Sequence, residues 1–323
     1  MKRLKKAVMI SAVVLGIGGT LGFSQPVSAA SDGIDTTVVN EKWGKPTFVH
    51  GGGLSNSEVK ETADLLQIEN AENVASVAIN GQDVIHYLGS GSGNTSSLIS
   101  SVLVEKEDSG HGVKVNIKTP ENITQITQEQ YANAAITAGI ADATILVASI
   151  RPATGESALT GVYKAFDVNG EDLDQDRMEV AQEELETTND IAQENADKSD
   201  FDSGKLDQAI IDIKQGLADL KEQQGKLATK EEIQQIINDA IEKNNLDNVV
   251  TQDQMDQLMK LFENYQKTSA IDSQEVKDQL QNLSNTVKDK LGNLVNQAEE
   301  SGLTDKIGNF FRQIWDAIVN LFN

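Results

Sequence analysis

Hydrophobic residues follow two different patterns along this chain of 323 residues. Between residues 30 and 170, short apolar runs with a period of two alternate with amphipathic stretches of helical period. After residue 171, aliphatic residues recur every three or four positions among Glu, Asp, Gln, Asn and Lys. The first pattern predicts an N-terminal α/β domain with a small mixed sheet, and the second predicts an all-α C-terminal region. The predicted fold class is therefore α+β, with domains at 30–170 and 171–323.

The N-terminal pattern contains both strands and helices. Strands are predicted at 36–39, 48–49, 74–79, 98–105, 113–118 and 143–149. Helices are predicted at 55–66, 129–138 and near 156–166. Capping boxes that begin at Ser55 and Thr127 mark the starts of the first two helices. The turn-rich sequence KEDSGHG joins the runs at 98–105 and 113–118, which predicts that these two strands form a β-hairpin.

Three glycines are predicted to serve the fold and to take no part in chemistry. Gly139 follows the helix at 129–138 and suits the left-handed residue with which many helices end. Gly155 is expected to allow the turn after Pro152, and Gly161 is expected to allow close packing of its own helix.

The C-terminal region has one long apolar seam and one broad apolar face. Residues from Leu206 to Leu227 recur at alternating steps of four and three, which predicts a helical hairpin or a coiled coil that breaks near Gly225. A last helix, predicted at 303–322, is amphipathic. The aromatic residues of its apolar face are Phe310, Phe311, Trp315 and Phe322. We expect this face to dock on the rest of the protein or, as the alternative, to contact a membrane surface peripherally.

The first 29 residues have the three parts of a secretory signal peptide. Four basic residues before residue 7 precede an apolar run at 7–23, and small residues at 28–30 provide a cleavage site. The apolar run is short for a membrane span. The sequence therefore predicts cleavage after Ala29 or Ala30. The mature protein is expected to be secreted or extracellular, or alternatively associated with the cell envelope.

The acidic charge and the absence of cysteine exclude several classes of binding partner and site. The chain has 50 acidic and 27 basic residues, and removal of the basic signal peptide makes it more acidic still. Such a chain repels nucleic acid and anionic lipid, because both are bound through Lys and Arg. The absence of cysteine excludes disulfides and thiolate metal sites.

Several separate segments resemble one known family. The sequences YANAAITAGIADATILVAS at 131–149 and ATGESALTGVYKAF at 153–166 are similar to the family named domain of unknown function 1002, and the resemblance covers about 51–190. Arg151-Pro152 stands where members of that family more often have Ser-Pro. The resemblance implies a secreted, envelope-associated protein of low-GC Gram-positive bacteria with an α/β part and helices. It implies no activity, so no functional residue is carried over.

Two strings resemble parts of a serine hydrolase. His50-Gly51-Gly52-Gly53 is similar to an oxyanion-hole string, and the residues around Ser157 resemble a nucleophile elbow. Leu159 stands where the elbow needs a small residue, and all three histidines precede Ser157. Ser157, Glu156 and His50 are therefore candidates, but no catalytic residue is assigned. The alternative is that residues 154–157 cap a helix.

An acidic turn after residue 166 resembles part of a calcium loop. Asp167, Asn169 and Asp176 are the candidate ligands. Two main ligand positions of such a loop carry the wrong residues, so a polar turn between helices is the favoured interpretation. No metal and no cofactor are assigned.

Together these patterns predict an exported, non-catalytic envelope or extracellular protein that binds a protein or an envelope component. The alternative is an exported hydrolase that uses Ser157 or a carboxylate. Neither interpretation includes nucleic-acid binding.

Overall fold

The computed structural model describes residues 33–37 and 42–300, with the last seven of these as backbone only. The predicted signal peptide at 1–29 and the predicted helix at 303–322 lie outside the described residues, as do Phe310, Phe311, Trp315 and Phe322. The predicted strand at 36–39 lies half outside them, and Thr36 and Thr37 form a turn.

The described residues contain five strands and nine α-helices. The strands are β1 Thr47–Gly51, β2 Ala75–Ile79, β3 Ser101–Lys106, β4 Val113–Ile117 and β5 Ala143–Ala148. The helices of the first half are α1 Asn56–Leu65, α2 Gly81–Leu88, α3 Gln128–Ala138 and α4 Ser157–Val168. The helices of the second half are α5 Gln175–Asn195, α6 Ser203–Gln224, α7 Lys230–Lys243, α8 Gln252–Tyr265 and α9 Gln274–Glu300. The strands all precede residue 150 and most helical residues follow it, which confirms the predicted α+β class.

The five strands form one mixed sheet in the order β2-β1-β3-β5-β4. Strands β1 and β2 are parallel, as are β4 and β5, whereas β3 is antiparallel to both of its neighbours. The predicted hairpin of β3 and β4 is therefore wrong, because β5 lies between them. The β5 sequence ATILVA is apolar except for Thr144 and is best buried between two strands, whereas β4 carries Lys114 and Asn116 and suits an edge.

The two faces of the sheet are covered by different elements. Val49 and Val102 point to the face that α4 covers, because a Cβ on Gly161 of α4 would lie 3.2 Å from Val102 Cγ2 and 3.8 Å from Val49 Cγ1. Phe48 and Leu103 point to the opposite face and pack in a smaller core with residues of α1 and of the segment after it. Each face of the sheet thus has its own apolar cover.

Local signals set the starts and ends of several helices as the sequence predicts. Complete capping boxes begin α1, α3, α7 and α8, at Ser55, Thr127, Thr229 and Thr251. Gly139 ends α3 with a φ of +100°, and Gly225 ends α6 with a φ of +67°. Both values lie in the left-handed region that glycine adopts without a steric penalty.

The helical region packs on the sheet-covering helices and on itself. Helix α5 lies against α3 and α8, and α6 lies against α7, α9 and α3. The seam residues Leu206, Ile210, Ile213 and Leu217 are buried, whereas Leu227 lies beyond the end of α6 and is exposed. One apolar core extends from the sheet into the helices. The assignment of two domains that meet near residue 170, and of a coiled coil, stays a prediction.

Across 33–37 and 42–300, no helix has the length and the apolar content that a membrane crossing requires.

Candidate functional site

The glycine string after β1 is the strongest hydrolase-like motif, and its amides already have acceptors. The amide of Gly51 donates to Ser101 Oγ at 3.2 Å, that of Gly52 to the Ile79 carbonyl at 2.8 Å, and that of Gly53 to the Leu98 carbonyl at 3.0 Å. An oxyanion hole needs amides that are free to donate to the developing charge of a substrate. These three amides instead hold the loop against its own neighbours.

The same three glycines are explained by close backbone packing. An ideal Cβ on Gly51 would lie 2.2 Å from the Leu98 carbonyl oxygen, and one on Gly52 would lie 2.5 Å from that of Ile79. Gly53 has a similar approach, at 2.5 Å, to the carbonyl oxygen of Ser96. No side chain fits at these distances, so the string is required by the fold whether or not a ligand binds.

His50 and Ser157 lie on opposite sides of the sheet. His50 is next to Val49 in β1, so its side chain points away from the face that α4 covers. Its ring lies 5.6 Å from that of Phe48, in the direction of the α1 face. Ser157 is the first residue of α4 on the other face. The two candidates therefore lie on different faces of the sheet, which does not favour His50 as the base for Ser157.

Burial changes the protonation of His50. Partial burial lowers the pKa of its imidazole, while a hydrogen bond with the Gly51 backbone opposes that change. Its Nδ1 atom is buried and has no hydrogen-bond partner among the described residues. Burial therefore disfavours the protonated form of the ring.

The turn before Ser157 is fixed by Tyr131. Its hydroxyl donates to the Gly155 carbonyl at 2.6 Å, and Gly155 has a φ of +95°. Residues 154–157 directly precede α4, as expected of a cap, but no side chain caps this helix; the Gly155 carbonyl instead accepts from the Ala158 amide at 2.9 Å. Glu156 at the cap position has helical dihedral angles, which do not suit side-chain capping.

Glu156 stands next to Ser157 and has a raised pKa. Partial burial raises the pKa of its side chain, and the negative charges of Glu186 and Asp190 on α5 raise it further. Hydrogen bonds with Thr154 and Asn189 act in the opposite direction. Glu156 therefore has an environment in which its proton is held more tightly than in water, although His50 lies on the other face of the sheet.

Two of the three candidate calcium ligands make hydrogen bonds within the protein. Asp167 accepts a hydrogen bond of 2.8 Å from the Tyr87 hydroxyl. The side-chain amide of Asn169 donates to Thr47 Oγ1 at 2.8 Å and to the Ala165 carbonyl at 2.7 Å, so it closes the end of α4. Asp176 lies in the first turn of α5. Within the part of the chain that the structure describes, no three His, Cys, Asp or Glu side chains are arranged to hold a metal ion.

Similarity to known proteins now adds to this geometry. The model of the family described as "Protein of unknown function (DUF1002)" matches residues 50–283. The chain belongs to the DUF1002 family. The match begins in β1 and ends in α9, so the family includes the helical region as well as the sheet. It extends well beyond the 51–190 region in which the sequence resembles the family.

One similar protein aligns with most of the chain. The chain is 32% identical over 280 residues to a Bacillus subtilis (strain 168) protein named "Uncharacterized protein YpuA". The alignment covers 84% of this chain and 88% of that protein. No solved structure matches the chain with significant similarity.

This DUF1002 fold also contains a buried ion pair that the sequence did not predict. Lys214 of α6 donates from Nζ to Oε1 of Glu184 in α5 at 2.5 Å, and neither side chain is accessible to solvent. Lys214 also donates to the Asn133 carbonyl at 3.1 Å, and Thr137 Oγ1 donates to Glu184 Oε2 at 2.7 Å. The only available signal was that each charged residue stands next to a seam position, beside Ile213 or Leu185. The pair joins the helical region to α3.

Proposed function

We propose that the protein is an exported, non-catalytic module of the envelope or extracellular space that binds a protein or an envelope component. The observation that carries this proposal is the placement of His50 and Ser157 on opposite faces of the sheet. The glycine string beside His50 donates its amides to the protein's own oxygens, which supports the same proposal. Export rests on the N-terminal 29 residues.

The charge of the protein favours cationic partners. A formal net charge of −23 attracts basic segments of other proteins and repels anionic lipid surfaces. Contact of residues 303–322 with a neutral membrane surface is a further part of this proposal and rests on the apolar face of that predicted helix.

Cross-linking in intact cells tests the binding function. The partner is identified from the cross-linked complex. The two proteins, purified separately, should then bind each other with a saturable isotherm in calorimetry. Parallel measurements with calcium and with a chelator show whether the acidic turn at 167–176 contributes. Export is tested separately by N-terminal sequencing of protein from the medium and wall fractions, which should begin at residue 30 or 31.

A second candidate function is an exported hydrolase, and the raised pKa of Glu156 beside Ser157 favours it. A fluorophosphonate probe and a panel of nitrophenyl esters test this candidate. Labelling of the wild type that disappears in Ser157→Ala, while the melting temperature is unchanged, would overturn the non-catalytic proposal. We expect neither labelling nor turnover.

A further inference from the structure

Among the described residues, no backbone group pairs with the outer edge of β2, where amide and carbonyl groups recur at every second residue. The amide of Ala75 donates to the Pro46 carbonyl at 2.9 Å, and the Ile79 carbonyl accepts from Gly52 at 2.8 Å. In a parallel pair, alternate residues of one strand bond to the neighbouring strand. Ala75, Val77 and Ile79 therefore face β1, while the amide and carbonyl groups of Ser76 and Ala78 face outward. Among the described residues, β1 is the only strand that pairs with β2.

The side chains of this edge are small, uncharged and accessible. Ala75, Ser76 and Ala78 are exposed, and Val77 is half-buried. Natural sheets usually protect an edge strand with a charged residue, a proline or a covering segment. The β2 sequence ASVAI contains neither a charged residue nor a proline.

The opposite edge of the same sheet is protected. The outward amide of Val113 in β4 donates to Gln279 Oε1 at 3.1 Å, and that of Ile117 donates to Gln128 Oε1 at 3.3 Å. Lys114 of the same strand is exposed. Side chains from α9 and α3 thus occupy two of the outward amides of β4 that a sixth strand would need. The contrast makes β2 the edge at which the sheet can grow.

We propose that the β2 edge binds an extended peptide segment of a partner protein, which adds a sixth strand beside β2. This inference rests on the proposed binding function and names its surface. Main-chain hydrogen bonds to Ser76 and Ala78 supply the affinity, as in other complexes formed by strand addition. The small side chains of β2 leave room for aliphatic side chains on the peptide.

Size and charge favour a peptide over a second copy of this chain. A five-residue strand is about 17 Å long, and its edge buries much less than the roughly 1,000 Å² that a stable dimer of globular proteins needs. Two bodies with a formal charge of −23 each also repel one another. The exposed Glu72 lies just before β2. The peptide should therefore carry lysine or arginine beside its aliphatic residues.

The test uses a displayed library of linear 12-residue peptides, selected on the purified full-length protein. We expect the selected peptides to have aliphatic residues at every second position and to carry lysine or arginine as well. Amide exchange of the isotope-labelled protein then locates the site. In the free protein, Ser76 and Ala78 should exchange fast while Val77 and Ile79 are protected. A saturating peptide should slow the exchange of Ser76 and Ala78 at least tenfold.

Proline variants provide the second readout. Ser76→Pro and Ala78→Pro each remove one outward amide at an edge position that tolerates proline, so each should weaken peptide binding at least tenfold. Ser76→Ala and Ala78→Ser keep both amides and serve as matched controls with wild-type affinity. Circular dichroism and melting temperature show whether the proline variants fold. The exchange measurement on the wild-type protein shows independently whether the peptide binds at the β2 edge.

The outcomes separate this inference from the proposed function. If a cross-linked partner or a library peptide binds while Ser76 and Ala78 still exchange fast, the binding function stands and the β2 site is wrong. If the library yields no peptide that binds, the β2 site is likewise wrong. If sedimentation shows a dimer that Ser76→Pro abolishes, the edge pairs with a second copy and the peptide proposal is overturned.

Discussion

Lys214 and Glu184 form an ion pair with an Nζ to Oε1 distance of 2.5 Å in a region without access to solvent. Burial is the main cause that lowers the pKa of the Lys214 amine, and the charge of Glu184 opposes this change. Asn133 and Thr137 of α3 complete the hydrogen bonds of the pair. A buried pair of this kind fixes how three helices pack, although its net contribution to stability is small.

The first prediction concerns removal of one partner of this pair. Lys214→Met leaves the carboxylate of Glu184 buried without a counter-charge, and Glu184→Leu leaves the amine in the same position. Each single variant should lose about 3–5 kcal/mol of unfolding free energy in urea titrations, because an unpaired buried charge is destabilising. The double variant Lys214→Met with Glu184→Leu should be clearly more stable than the sum of the two losses predicts.

The ion pair of Lys260 with Glu183 provides the matched control. Its Nζ to Oε1 distance is 2.8 Å, but the lysine side chain is 76% exposed. Lys260→Met should change the unfolding free energy by less than about 1 kcal/mol. Equal losses for Lys214→Met and Lys260→Met, or strictly additive losses at Lys214 and Glu184, would contradict the role of burial.

Local patterns predicted the elements of this fold well because their causes are local. The capping boxes at Ser55 and Thr127 and the left-handed Gly139 depend on bonds within a few residues, and the structure contains all of them. The run at 143–149 was predicted as a buried strand for the same reason. Its place between β3 and β4 depends on pairing across the chain, which a sequence pattern does not encode.

At the candidate site too, the decisive contacts come from residues that are distant in sequence and could not be predicted from local patterns. The string at His50 resembles an oxyanion hole by residue type, but the acceptors of its amides come from Ile79, Leu98 and Ser101, which are remote in sequence. The burial of Lys214 depends on helices that are likewise distant along the chain. The open edge of β2 could not be predicted either, because it follows from the order of the strands.

A second prediction concerns residues 303–322, which lie outside the described residues. The apolar face of the predicted helix favours docking on the protein, so the fluorescence of Trp315 should be blue-shifted in the purified protein. Trp43→Phe leaves Trp315 as the single emitter. Emission typical of free tryptophan that shifts only when neutral lipid vesicles are added would show membrane contact in place of docking.

A third prediction concerns two glycines that leave no room for a side chain. A Cβ on Gly52 would lie 2.5 Å from the Ile79 carbonyl oxygen, and one on Gly155 would lie 2.4 Å from the Tyr131 hydroxyl. Gly52→Ala and Gly155→Ala should each lower the unfolding free energy by at least about 1 kcal/mol, since backbone or a buried ring must move. Thermal and urea unfolding measure the loss.

Gly292 of α9 is the control for this prediction. A Cβ at Gly292 would have no neighbour within 4 Å among the described residues, so Gly292→Ala should raise the stability by about 0.5–1 kcal/mol through helix propensity. If Gly52→Ala or Gly155→Ala were as stable as the wild type and instead abolished binding of the isolated partner, these glycines would serve a ligand and not the fold.

The last prediction concerns pH and His50. Burial lowers the pKa of its ring in the folded state below the ordinary value of 6.5. As the pH falls below 6.5, the unfolded chain takes up a proton at this residue before the folded protein does. The stability that the neutral His50 contributes is therefore fully present above pH 6.5 and decreases as the pH falls to the pKa of the folded state. Relative to His50→Phe, the wild type should therefore lose stability between pH 7 and pH 5. The slope is at most about 1.4 kcal/mol per pH unit and is reduced because solvent reaches part of the ring. The ring-proton shift of His50 in an NMR titration gives its pKa directly, and a midpoint at or above 6.5 would contradict the assignment of a neutral, half-buried imidazole.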